Sequence, residues 1–174
     1  MNDTEFSEIN PEITDYIERE ILPRYNAFDQ AHRMEHVRAV IADSISLARS
    51  CNADVQMAYV IAAYHDTGMV EGREFHHLAS GRLLMADPVL RRWFTGEQLL
   101  TMKEAVEDHR ASGKTEPRSI YGKIVADADR EIGNLQPMRR TIQFGRMHYP
   151  DLDKEASYRC FRKRLPEVRP CRST

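Results

Sequence analysis

The chain has 174 residues, of which 41% are hydrophobic and 30% charged, and its formal net charge is -2. That length suits one domain with a single buried core, and the near-neutral balance argues against broad binding to nucleic acid or a membrane surface. No apolar run approaches the length of a membrane span and the acidic N-terminus lacks signal-peptide character. The three cysteines, Cys51, Cys160 and Cys171, show neither zinc-finger spacing nor a disulfide framework, so a cytoplasmic location is expected.

Residues 1–8 are polar and read as a frayed end. From Pro11, the residues Ile13, Tyr16-Ile17 and Glu20-Ile21 follow a helical period, with Pro11 suited to a first turn and Pro23 marking the stop. Arg24 to Gln30 reads as a loop in which Asp29 can cap the helix after it. That long amphipathic helix carries Val37, Val40-Ile41, Ile45 and Ala48 as its buried stripe. Asn52 is expected to cap the next helix, where Val55, Ala58, Ile61 and Ala62 point inward and His65 continues the stripe. Gly68 and Gly72 break the chain into a loop, and a short helix spans about His76 to Met85. A smaller one starts at Asp87-Pro88 and runs through Trp93-Phe94.

Thr95-Gly96 leads into a helix with Leu99, Met102, Val106 and His109 on one face. The loop from Arg110 to Pro117 is basic. Pro117 opens a helix with Tyr121, Ile124-Val125 and Ala128, ending near Asp127, Asp129 and Arg130. Beyond it, residues 136–165 read as two more helices broken near Pro150, and 166–174 as a loose tail. With no repeat, no low-complexity tract and no alternating strand, the expectation is an all-α, single-domain helical bundle over residues 1–174.

The chemistry lies in polar residues that extend apolar helix faces. His65 is followed directly by Asp66, and the two sit about 100° apart on a helix, so both can lean toward one ion. His36 lies one turn before Val40, His109 is an i+3 neighbour of Val106, and Asp129 an i+4 neighbour of Val125. His36, His65, Asp66, His109 and Asp129 can therefore converge on one pocket, as facing helices of a bundle allow. Imidazole and carboxylate donors without cysteine suit one or two divalent ions such as manganese, iron, cobalt, nickel, zinc or magnesium. Arg73, Arg110, Lys114, Arg118 and Arg130 fall in loops or at helix ends beside that pocket, where a phosphate would use such cations. His32 and His148 read as surface histidines.

The order His36, His65-Asp66, Asp129 resembles the HD-domain superfamily of metal-dependent phosphohydrolases. Ala31-His32-Arg-Met-Glu-His36 is similar to its first motif, His65-Asp66-Thr-Gly68 to its dyad, and Ala126-Asp127-Ala128-Asp129-Arg130 to its closing motif. The resemblance spans about residues 28–135 and implies Asp129, not Asp127, as a ligand. His76-His77-Leu-Ala-Ser80-Gly81 and His109-Arg-Ala-Ser-Gly113 resemble the additional histidine motifs of dinuclear members. They imply His76, in preference to His77, and His109 as ligands of a second ion, with Asp66 bridging. Met69 stands where mononuclear nucleotidases often carry a glutamate, and the Gly-Tyr-Pro signature of cyclic-dinucleotide phosphodiesterases is absent.

The resemblance thus implies hydrolysis of a small phosphorylated metabolite, with a nucleotide as the expected substrate and metal-activated water as nucleophile. His65 and Asp66 would serve catalysis as well as metal binding, with Arg110, Lys114 or Arg130 neutralising developing charge. It leaves two rivals, an HD-fold di-iron oxygenase and a non-catalytic nucleotide-binding regulatory module. A homo-oligomer is compatible with all three; membrane or extended nucleic-acid partners are not expected.

Overall fold

A computed structural model of the chain describes residues 8–27, 32–110 and 116–130. Among these residues every regular element is helical, in agreement with the all-α expectation. The expected C-terminal helices and tail lie outside the described residues, as do Asp29 and Lys114.

Helix α1, Pro11–Tyr16, begins with Pro11 in its first turn and with the Asn10 side chain accepting from the Glu12 amide at 2.9 Å. The helical path does not stop at Pro23. It widens into a π turn over Ile17–Ile21 and tightens into a 3-10 helix over Leu22–Ala27. Proline offers no N–H to an α ladder but is tolerated in the first turn of a new helical segment. Keeping residues 24–27 wound, instead of looped, carries Tyr25 into the core.

Helix α2, His32–Ser50, buries Val37, Val40, Ile41, Ile45 and Ala48 as its stripe. Asn52 does not cap the next helix; it ends this one. With φ of 53° it takes the left-handed conformation, its amide donating to the Arg49 carbonyl at 3.2 Å while the Ala53 amide donates to that of Ala48 at 2.9 Å. Those two bonds make a Schellman motif, in which asparagine is a common substitute for glycine. Asp54 is the cap of helix α3, Val55–Tyr64, accepting from the Gln56 and Met57 amides.

Helix α3 is buried on all sides from Met57 to Tyr64, so the single apolar stripe expected of it understates its position. A helix apolar all round belongs at the centre of a bundle: α2, α5 (Gly96–Asp108) and α6 (Ile120–Arg130) all pack against α3. After the dyad, a 3-10 turn over Thr67–Glu71 leads to α4, His76–Ala86, which packs on both that turn and α5. The small helix after Asp87-Pro88 is a 3-10 turn, Val89–Arg92. A full capping box between Thr95 and Gln98 starts α5. Helix α6 opens three residues later than Pro117 suggested, where the Ser119 hydroxyl accepts from the Gly122 amide at 3.2 Å.

Candidate metal centre

Five segments bring their polar ends to one place. His36 comes from α2, His65 and Asp66 from the end of α3, His76 from the start of α4, His109 from just past α5 and Asp129 from the last turn of α6. His65 is completely buried because it continues the apolar face of the central helix. Its Nδ1 lies 2.7 Å from the Ala62 carbonyl. His76 and His109 repeat the device, with Nδ1 at 2.8 Å from the Arg73 carbonyl and at 2.6 Å from the Val106 carbonyl. A carbonyl only accepts, so each Nδ1 carries the proton, and in the neutral ring each Nε2 presents a lone pair.

All three lone pairs turn inward. His65 Nε2 lies 3.6 Å from Asp66 Oδ2 and 3.7 Å from Asp129 Oδ1, and it has no hydrogen-bond partner among the described residues. His36 Nε2 stands 3.1 Å from Asp129 Oδ1. On the other side of Asp66, Oδ1 faces His76 Nε2 at 3.1 Å and His109 Nε2 at 3.6 Å. The nitrogens of His76 and His109 are themselves only 3.1 Å apart.

This donor set fits divalent metal. A fully buried imidazole nitrogen without a partner loses its solvation for nothing, and two opposed lone pairs repel unless a cation or a proton stands near both. Backbone carbonyls that fix the tautomer of each histidine are the usual support of metal-ligating imidazoles. His36, His65 and Asp66 form one group able to hold an ion, and Asp66, His76 and His109 a second, so Asp66 belongs to both.

Charge in the cluster is ordered by the same contacts. Burial pushes His65 down, toward the neutral form a ligand needs. The hydrogen bond to Asp129 raises His36, and the one to Asp66 raises His76, each against the effect of burial. Burial favours protonation of Asp66, but the imidazoles of His65, His109 and His76 outweigh it and hold the carboxyl well below the usual range. Asp129 is likewise lowered, its burial outweighed by the hydrogen bond to His36 and the charge of His65 and His109.

Of the two aspartates in the closing motif, Asp129 meets the histidines, whereas Asp127 is raised by burial and its charged neighbours are Lys123 and Arg130. His77 has its Nδ1 buried with no partner among the described residues, and its ring packs edge-on against His76 at 5.8 Å. The expected cations differ in position. Arg130 is exposed at the end of α6, one residue past Asp129. Arg110 donates to the carbonyls of Arg73 and Glu74. Arg118 is bound to Asp108 at 3.0 Å and to Glu107 at 2.9 Å, so it braces the end of α5.

Three supports of the dyad gave no sign of that role in the sequence. Tyr25 sets its hydroxyl beneath the end of α3, donating to the Ala63 carbonyl at 2.9 Å and accepting from the Asp66 amide at 3.3 Å. Ser80 accepts from the Gly68 amide at 2.8 Å. Asp87 takes the hydroxyls of Tyr64, the residue before His65, and of Tyr16, both at 2.5 Å. Each bond links segments far apart in sequence, so no periodicity announces it; Tyr25 was hidden further by the loop expected around it.

Residues 33–132, more than half of the chain, match the family model of the HD domain, and the chain belongs to the HD-domain family. The fold is similar to the crystal structure of a predicted HD superfamily hydrolase from an uncultured Thermotogales bacterium. That likeness has a TM-score of 0.60 at 22% identity and covers 95% of this chain and 92% of the other. No curated protein matches the chain. Membership of the family, together with the donor cluster, supports metal-dependent phosphohydrolase chemistry in general.

Proposed function

We propose that the protein hydrolyses a phosphoester or phosphoanhydride of a small metabolite, with a nucleotide as the substrate class, and that the whole chain is one HD-like domain. In this reading His36, His65, Asp66 and Asp129 would hold the principal ion, and His76 and His109, with Asp66, would hold a second. The observation that carries it is the buried Nε2 of His65, which faces two carboxylates and has no partner among the described residues, with the lone pairs of His76 and His109 opposed to each other beside Asp66 Oδ1. A bound divalent ion supplies Lewis acidity and lowers the pKa of a coordinated water from about 15.7 toward neutrality.

The chain's own part is to hold and orient. Burial keeps His65 neutral with its lone pair inward. The depressed carboxyl of Asp66 stays ionised and offers one oxygen to each group of donors. Arg130, beside Asp129, and Lys114 are the cations assigned to the phosphate, where charge-assisted hydrogen bonds would favour the developing negative charge. The spread of the structural likeness over nearly the entire chain supports the single domain.

The test is metal content and product together. Protein purified without chelator or nickel resin should carry divalent metal and release phosphate or a nucleotide product from a panel of phosphorylated metabolites. Asp66→Ala should lose the metal and lower turnover by at least about 10²-fold; an active, metal-loaded variant would sink the assignment. Oxygen uptake with iron and no phosphate release would move the protein to the di-iron oxygenases. Tight nucleotide binding without turnover would make it a regulatory module.

A further inference from the structure

Arg110 follows directly on His109, and its guanidinium reaches back across the cluster to the stretch that precedes His76. One nitrogen, Nη1, donates to the carbonyls of both Arg73, at 3.0 Å, and Glu74. The Arg73 carbonyl is the same atom that accepts from His76 Nδ1 at 2.8 Å. One backbone oxygen therefore joins the cation beside one histidine to the ring of the other.

The stretch needs such a tie. Residues 70–75 are all exposed, so no buried side chain anchors them, and the Glu71–Arg82 pair that links them to α4 is itself at the surface. Gly72 takes a φ of +105°, and Phe75, at the start of α4, supplies no side-chain cap. The ring of His76 must nevertheless be placed finely enough to bring its Nε2 to 3.1 Å from both Asp66 Oδ1 and His109 Nε2. Nη1 carries two hydrogens, so this one nitrogen of the guanidinium can serve both adjacent carbonyls.

We propose that Arg110 is the positioning residue of the His76–His109 half of the centre: by clamping the Arg73 and Glu74 carbonyls it fixes the acceptor that orients His76. This rests on the paired-metal reading above. It separates the two halves of the cluster, because His36, His65 and Asp129 owe nothing to the clamp.

The experiment titrates Co²⁺ into the metal-free full-length chain by calorimetry, with elemental analysis of the end point, for the wild type, Arg110→Gln and Arg110→Lys. The wild type should take two ions per chain. Arg110→Gln should keep the tighter site within about threefold and weaken the other by roughly ten- to hundredfold, the usual cost of losing a ligand's supporting hydrogen bond. Arg110→Lys, which can still reach one carbonyl, should fall between them, and it carries the test if Arg110→Gln does not fold by circular dichroism. Two unchanged sites in a folded variant, or two sites weakened alike, overturn the positioning role while leaving the metal reading intact. Fewer than two ions in the wild type overturns the paired-metal reading and the positioning role with it.

Discussion

Asp66 offers its two oxygens to two groups of histidines, and its backbone is held by a hydroxyl that no ligand pattern contains. Tyr25 is fully buried and bonds both the carbonyl of Ala63 and the amide of Asp66, bracketing the dyad from beneath. Tyr25→Phe keeps the ring and removes that bridge. A buried donor and a buried acceptor then lose their partner, a cost of about 1–3 kcal/mol, or roughly 2–4 °C of Tm for each kcal/mol in a chain of this length. If the bridge only stabilises, metal affinity will be unchanged at temperatures well below the transition. The expected result is weaker metal binding at both groups, because Asp66 serves both, and calorimetry on the folded variant decides it. His65, Asp129 and His36 were legible as candidates in the sequence because they extend or flank an apolar helix face, and Asp66 because it directly follows His65. Tyr25 was not, since its role depends on a hydrogen bond spanning 41 residues.

Among the elements, α4 shows what close approach requires. Its first half packs onto the 3-10 turn after the dyad, and Gly68 is the point of contact. A Cβ there would stand 2.3 Å from the His76 carbonyl oxygen and 2.4 Å from the Ser80 amide nitrogen. Both are backbone atoms that cannot swing aside, and the Gly68 amide also donates to the Ser80 hydroxyl across the same gap. Gly68→Ala should therefore push α4 away from α3, destabilise the fold by about 1–3 kcal/mol or more and impair the His76–His109 group before the His36–His65 group. Equal stability and unchanged metal content would contradict this. The sequence marked Gly68 as a breaker, whereas its φ is ordinary and its value lies in lacking a side chain. Helix periodicity located α2 through α6 because each buries a face in the core; the termini drifted where a side-chain cap decided them, at Asp54 instead of Asn52 and at Ser119 instead of Pro117.

At the scale of the molecule, the bundle is a frame that gathers ends of helices which would otherwise lie far apart, and metal should tighten that frame. Among the described residues no helix is long and apolar enough to cross a membrane, and the apolar surface goes instead into the core around α3. Binding that selects the folded state stabilises it by RT ln(1 + [L]/Kd), about 2.7 kcal/mol at a hundredfold excess over Kd. Chelation should lower Tm accordingly, and the size of the drop should depend on pH. His36 and His76 have raised values in the metal-free fold, each from a hydrogen bond to an aspartate. Their ion pairs stabilise the metal-free protein below the unfolded histidine value of about 6.5, and that contribution is lost as pH rises through the folded values. Metal needs the same rings neutral, so its contribution grows over the window in which the ion pairs fade. Asp66 and Asp129, both lowered, remain ionised throughout this window. The gap in Tm between metal-loaded and metal-free protein should thus widen from about pH 5.5 to pH 8. Thermal melts with and without metal across that range measure it, and a gap that stays constant or narrows would mean that His36 and His76 are not the groups the metal displaces protons from.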